Sequence, residues 1–111
     1  DNESARSYRE IDHWLKSQEW KDARDGFDYA GALRKLDLPL ILSLTGANDP
    51  VLGNPTDVKG LLREIGADSA DFRMIGKDQG NLHDYGHNDI LSHRDAVKDH
   101  FPMVLEWLQN L

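Results

Sequence analysis

Leu38-Pro39-Leu40-Ile41-Leu42-Ser43-Leu44-Thr45-Gly46-Ala47-Asn48-Asp49 is the stretch whose reading decides the fold. Leu40 to Leu44 is apolar on both faces, as in a central strand of a parallel sheet. Pro39 stands at the start of this strand, where a missing N–H is tolerated. The strand runs into Thr45-Gly46-Ala47-Asn48-Asp49-Pro50, a turn-rich loop that carries a carboxylate.

Downstream of that loop the signals for a helix are complete. Asn54 suits the N-cap, Pro55 the first helical position, and Gly66 the stop. Between them Val58, Leu61, Leu62 and Ile65 recur at helical spacing. Asp71 to Ile75 then reads as a second strand, with Phe72 and Met74 on one face and a partial alternation that suits an edge. A polar loop from Gly76 to Asp89 follows, and a closing helix is expected from about Asp95 to Leu108. Val97, Phe101, Val104, Leu105 and Leu108 would form its buried stripe, and Pro102 should kink or weaken its first turns.

Upstream, residues 1–26 are polar and charged. Tyr8, Ile11 and Leu15, with Trp14 beside them, fit a short amphipathic helix that Asp25-Gly26 ends or turns. Residues 28–36 fit a second short helix, with Ala30, Leu33 and Leu36 on one side. The order helix, strand, helix, strand, helix defines an α/β chain: a partial parallel sheet of about two strands with flanking helices. Such a sheet makes a poor domain, because a strand apolar on both faces needs helices on each side and neighbours at each edge. The Leu40–Leu44 edge is therefore expected to be unpaired or covered by another chain. Self-similar repeats and low-complexity segments are absent from the sequence.

Composition narrows the function classes. The 111 residues are 39% hydrophobic and 30% charged, ordinary for a globular domain with a modest core. Twenty acidic residues against 13 basic ones give a net charge of −7. With no basic stripe, nucleic acid is not an expected partner. An acidic surface favours solubility and discourages contact with anionic membranes. No cysteine is present, so disulfides and thiolate metal sites are excluded, while the compartment stays open. The longest apolar run, Leu38 to Leu42, is far too short to span a bilayer, and no signal peptide is visible. A start at Asp1-Asn2-Glu3 rather than Met points to a processed or excised segment.

In open α/β sheets ligands bind beyond the C-terminal ends of the strands. Both polar loops leave from those ends, one with Asp49 and the other with His87. If the strands are neighbours, the carboxylate can take the Nδ1–H of the imidazole and fix its tautomer, leaving Nε2 as a general base. Plainer roles compete: Asp49 before Pro50 as a turn residue, His87 as a loop-capping histidine, Asp89 bonding the loop's own backbone, and Tyr85 and His83 as packing or surface residues. Asp57 and Glu64 read as a solvated helix face. A metal site is the chemical rival, since His83, Asp84, His87, Asp89 and His93 crowd eleven residues, but their spacing fits no known ligand motif.

Taken in order, these motifs resemble the C-terminal part of an α/β-hydrolase of the lipase or esterase kind. Leu38 to Asp49 is similar to the family's late strand and acid loop, with its Gly-x-x-Asp ending. Pro55-Thr56-Asp57-Val58 with Leu61-Leu62 is similar to the helix after the acid. Asp84-Tyr85-Gly86-His87-Asn88-Asp89 looks like the histidine loop, and Val104-Leu105-Glu106-Trp107-Leu108 like the last helix. The match covers roughly residues 27–108.

The resemblance implies catalytic Asp49 as triad acid and catalytic His87 as base, no cofactor, and a small-molecule ester or acyl substrate. It implies a serine hydrolase acting on carboxylic esters. It also implies that residues 27–111 are the C-terminal part of the hydrolase domain and residues 1–26 a cap-like helical segment or linker; Trp14 and Trp20 of that segment, with Phe27 just after it, can line a substrate pocket. The chain departs from the family in lacking a nucleophile. No Gly-x-Ser-x-Gly occurs, and none of Ser4, Ser7, Ser17, Ser43, Ser69 or Ser92 sits on a strand-to-helix elbow. The expected partner is the upstream nucleophile-bearing part of the same protein, or another chain. The alternative is a non-catalytic α/β-hydrolase-like interaction module.

Overall fold

The computed structural model describes residues 2–111. Two parallel strands, β1 (Leu42–Gly46) and β2 (Asp71–Ile75), form the sheet, in register from Leu42 opposite Asp71 to Gly46 opposite Ile75. Between them runs α3 (Pro55–Glu64), the crossover that a parallel pair requires. The chain is thus mixed α/β. β1 begins two residues later than the apolar pattern places it. Leu40 stands 66% exposed ahead of the strand, and Ile41 contributes only its carbonyl, to the Asp71 amide at 2.8 Å. Register with β2, rather than hydrophobicity, sets the strand's limits, so Thr45 and Gly46 join the ladder. β1 has no second neighbour among the described residues.

The caps of α3 follow the local chemistry. The Asn54 side chain accepts the Asp57 amide at 3.0 Å, and Pro55 opens the helix. Gly66 leaves it with φ +76°, a left-handed conformation in which a side chain is strained.

The expected last helix is divided. After α4 (Asp89–Ser92), α5 (Ala96–Asp99) and α6 (Phe101–Gln109) meet at His100, with φ −117°. Pro102 has no N–H to offer the carbonyl four residues earlier, so the first helix stops and a new one starts with proline in its first turn. The His100 imidazole, 1% exposed, bonds the Ile90 carbonyl through Nε2 at 2.7 Å and ties the break to α4. The core beneath the sheet is small: Ile75, Tyr85 and Ile90, with Leu44 and Met103 packed against them.

The N-terminal portion holds itself together separately. α1 (Asn2–Ser17) ends before Gln18, whose φ is +56°, and Asp25-Gly26 forms the turn that follows rather than the helix end. Tyr8, Ile11 and Leu15 are all exposed, so the apolar stripe of α1 is not what anchors it. Trp14 does so, donating its indole N–H to the Lys21 carbonyl at 2.7 Å and packing edge-on against Trp20 and Tyr29. Phe27 stacks edge-on against Tyr29 as well, so the three residues proposed to line a pocket pack around one tyrosine. The buried carboxylate of Asp22 gathers the loop, accepting from the Arg24 amide and guanidinium and from the Tyr29 hydroxyl. Arg24 holds this carboxyl well below the usual range. α2 (Tyr29–Leu33), capped by Asp28, is shorter than its sequence pattern, and Leu36 is exposed beyond it.

The surface is larger than that of a compact monomer. It measures 8167 Å², whereas a compact protein of this 12.6 kDa mass exposes about 6,200 Å². The radius of gyration is 16.5 Å, against about 13 Å for a compact chain of this length. No described helix is long and apolar enough to cross a membrane.

Candidate functional site

Because β1 and β2 are parallel neighbours, the loops leaving Gly46 and Ile75 exit side by side. The two loops are joined by backbone bonds: Ala47 N–H to the Ile75 carbonyl and Asn48 N–H to the Tyr85 carbonyl, each at 2.9 Å. Gly46 permits this approach, since a Cβ there would collide with the Tyr85 carbonyl oxygen. Thr45 donates its hydroxyl to the Gly53 carbonyl and folds the acid loop back over the strand end.

Asp49 and His87 meet at this junction. Asp49 Oδ2 lies 2.7 Å from His87 Nδ1, and Asp49 Oδ1 accepts the Leu52 amide at 3.1 Å. Asp49 is 6% exposed. Burial pushes its carboxyl up, but the His87 bond and the amides of Gly53 and Leu52 outweigh it and hold it below the usual carboxylate range. An ionised carboxylate only accepts, so the proton of this bond belongs to Nδ1 and a neutral His87 carries its lone pair on Nε2. Half of the His87 side chain is exposed, and among the described residues nothing bonds its Nε2. Gly53 presses against the pair: a Cβ there would sit 2.7 Å from Asp49 Oδ2.

A cleft of about 280 Å³ opens at the pair, lined by Leu44, Gly46, Asp49, Gly53, His87, Ile90 and Leu91. It continues into an apolar hollow of about 370 Å³ that shares Leu44, Ile90 and Leu91 and adds Phe101, Val104, Leu105 and Leu108. Leu91, Leu105 and Leu108 are exposed there. Another cleft, of about 380 Å³, lies by Leu40, Arg73, Met103 and Trp107 and has no histidine–carboxylate pair in its lining.

Three of the serines are placed by strand or helix bonds. Ser43 lies within β1, Ser92 bonds the Asn88 carbonyl from α4, and Ser17 bonds the His13 carbonyl. The Ser17 and Ser92 hydroxyls are thus committed to backbone carbonyls of their own helices.

The crowded histidine loop is sorted into separate roles. Asp84 accepts the Lys77 amide at 2.8 Å, and Asp89 opens α4. Asp89 has no side-chain bond to the loop backbone among the described residues, contrary to the expected role. Tyr85 is a core residue, 1% exposed, whose hydroxyl bonds Asp99 at 2.7 Å. His83 pairs through Nε2 with Asp95 Oδ2 at 2.8 Å. Asp95, which the sequence presented only as the start of a helix, is thus a second carboxylate in contact with a histidine. Its spacing from His93, two residues on, was the one available signal. No family model, curated protein or solved structure matches the chain.

Proposed function

We propose that this chain supplies the acid and the general base of an α/β-hydrolase-type triad acting on carboxylic esters. The nucleophile and oxyanion hole come from another segment that packs against β1. The carrying observation is the 2.7 Å bond between Asp49 Oδ2 and His87 Nδ1 at the C-terminal ends of two parallel strands, with Nε2 left to a partner. In the reaction His87 Nε2 takes the proton of the nucleophile as it attacks the ester carbonyl. The resulting imidazolium is stabilised by Asp49, and its proton passes to the leaving alkoxide as the tetrahedral anion collapses. The cleft beside the pair is walled by Leu44, Ile90 and Leu91, which suits an acyl group more than a charged substrate.

The open edge of β1, the exposed leucines of the adjoining hollow and the surplus surface support a covering segment. The surplus, about 2,000 Å² on this chain alone, exceeds the ~800 Å² that each partner gives to a standard interface and is of the size that one side of an extensive obligate interface buries. The absence of a Gly-x-Ser-x-Gly elbow from the sequence favours a second reading, a non-catalytic α/β-hydrolase-like module that pairs through the same edge. Expression of the chain together with the segment that would carry the nucleophile, in the same protein or as a second chain, followed by assay on a chromogenic acyl ester, separates the two. Turnover that disappears in His87→Ala and Asp49→Asn upholds the hydrolase. A longer protein that has no serine, cysteine or aspartate at a strand-to-helix elbow, and no turnover, upholds the module.

A further inference from the structure

Four residues before His87 the same loop carries His83, and the chain returns to it through His93 and Asp95 in the connection between α4 and α5. One donor atom from each of these three residues lies within 4.8 Å of the other two. A tetrahedral zinc site with bonds of about 2.0–2.2 Å sets neighbouring donors about 3.3–3.5 Å apart. The separations from Asp95 Oδ2 are 2.8 Å to His83 Nε2 and 3.9 Å to His93 Nδ1, on either side of that spacing.

The surroundings prepare the three groups for one ion. Lys98 Nζ holds Asp95 Oδ1 at 2.8 Å, which leaves Oδ2 to face the two imidazoles as a single anionic donor. Tyr85 meets both rings edge-on, His83 at 5.7 Å and His93 at 5.5 Å, and fixes their planes from the core side. The two imidazoles are 4.5 Å apart between centroids and tilted by 48°, so they converge instead of stacking. Solvent reaches the site, with 42% of the His83 side chain, 32% of His93 and 16% of Asp95 exposed. His93 Nδ1 accepts the Asp95 amide at 3.1 Å, a bond that a metal at Nδ1 replaces.

We infer that His83, His93 and Asp95 form a binding site for Zn²⁺ or another borderline divalent ion, with water as fourth ligand. Two imidazoles and one carboxylate are the donor set such ions prefer, and a set too poor in oxygen for Mg²⁺. The bound ion would clip the histidine loop to the α4–α5 connection and restrain the backbone just ahead of His87. The site shares no residue with the Asp49–His87 pair and stands whether or not that pair is catalytic.

The test is a calorimetric titration of ZnCl₂ into the full chain after chelator treatment and dialysis, with MgCl₂ as comparison. One saturable equivalent of Zn²⁺ is expected, with a rise in melting temperature and no response to Mg²⁺. His83→Ala and Asp95→Asn should each weaken binding by about tenfold or more, whereas His87→Ala should leave it unchanged. Far-UV circular dichroism of each zinc-free variant checks that it folds. Should a variant fail to fold, nuclear magnetic resonance of the parent chain decides: Zn²⁺ should shift the His83 and His93 ring signals and leave those of His87 in place. Non-saturable binding, binding retained in both variants, or a response centred on His87 would overturn the assignment.

Discussion

Two histidines of one loop each meet an aspartate from another segment, at nearly the same bond length and in different surroundings. His87 meets Asp49 through Nδ1 at 2.7 Å, and His83 meets Asp95 through Nε2 at 2.8 Å. Asp49 gives its second oxygen to a backbone amide, so its charge is directed at a single imidazole. Asp95 shares its charge with Lys98 and lies beside a second imidazole. The first arrangement leaves Nε2 without a bond among the described residues, on a histidine that lines a cleft, and the second spends Nε2 on the carboxylate. A histidine beside an aspartate is therefore not a proton-transfer device by proximity alone. Which nitrogen faces the carboxylate, and what else that carboxylate holds, separates the two.

The largest effect that would sharpen this contrast is on turnover. On the proposed hydrolase reading, once a nucleophile-bearing segment is supplied, His87→Ala should lower kcat for ester hydrolysis on the order of 10⁵- to 10⁶-fold. Asp49→Asn should lower it about 10⁴-fold, because the amide favours the wrong tautomer. His83→Ala should change kcat no more than a few-fold. Equal losses in His83→Ala and His87→Ala would erase the distinction.

A middle-sized effect is expected on stability, at the tyrosine behind the second pair. Tyr85 is buried, bonds Asp99 and packs against both His83 and His93. Tyr85→Phe keeps the packing and removes a bond to a charged group, at a cost of about 1.5–3 kcal/mol in denaturant unfolding. Burial and this bond push the Tyr85 hydroxyl up to about 12. Its neutral form is thus favoured in the folded chain. That stabilisation is complete below the ordinary tyrosine value of 10 and is lost as pH rises from 10 toward 12.

The smallest effect is an acid response. The Lys98 and His83 bonds lower Asp95 to about 2, below its ordinary value of 3.8. A lowered carboxyl contributes stability that is present above pH 3.8 and lost as pH falls toward 2. Asp49 and Asp22 are lowered too and add to the slope in the same direction. Melting temperatures measured from pH 5 down to pH 2 should fall for the parent chain and fall less steeply for Asp95→Asn. An unchanged slope would show that the Asp95 contacts do not bias folding.

Local chemistry made much of the fold legible. Asn54, Pro55 and Gly66 mark α3 because caps act within a turn of the helix, and β2 was readable from Asp71 to Ile75. The limits of β1 were not, because they follow from pairing across the sheet. Pro102 foretold trouble in the last helix, but the extent of the break depends on His100 reaching back to Ile90. The Asp49–His87 contact was legible because each residue follows a strand, and parallel strands deliver their loops to one end. The grouping of His83 with His93 and Asp95 was hidden, since it requires the chain to return past Tyr85. Of the five residues that the sequence crowded together, only His83 and His93 converge.

The central claim, a fixed tautomer at His87, is tested most directly by ¹⁵N-edited nuclear magnetic resonance of the imidazole rings in the neutral state. A protonated Nδ1 and a bare Nε2 at His87, reversed in Asp49→Asn, is the predicted result. A proton on Nε2, or a rapidly exchanging mixture indifferent to Asp49→Asn, would contradict it.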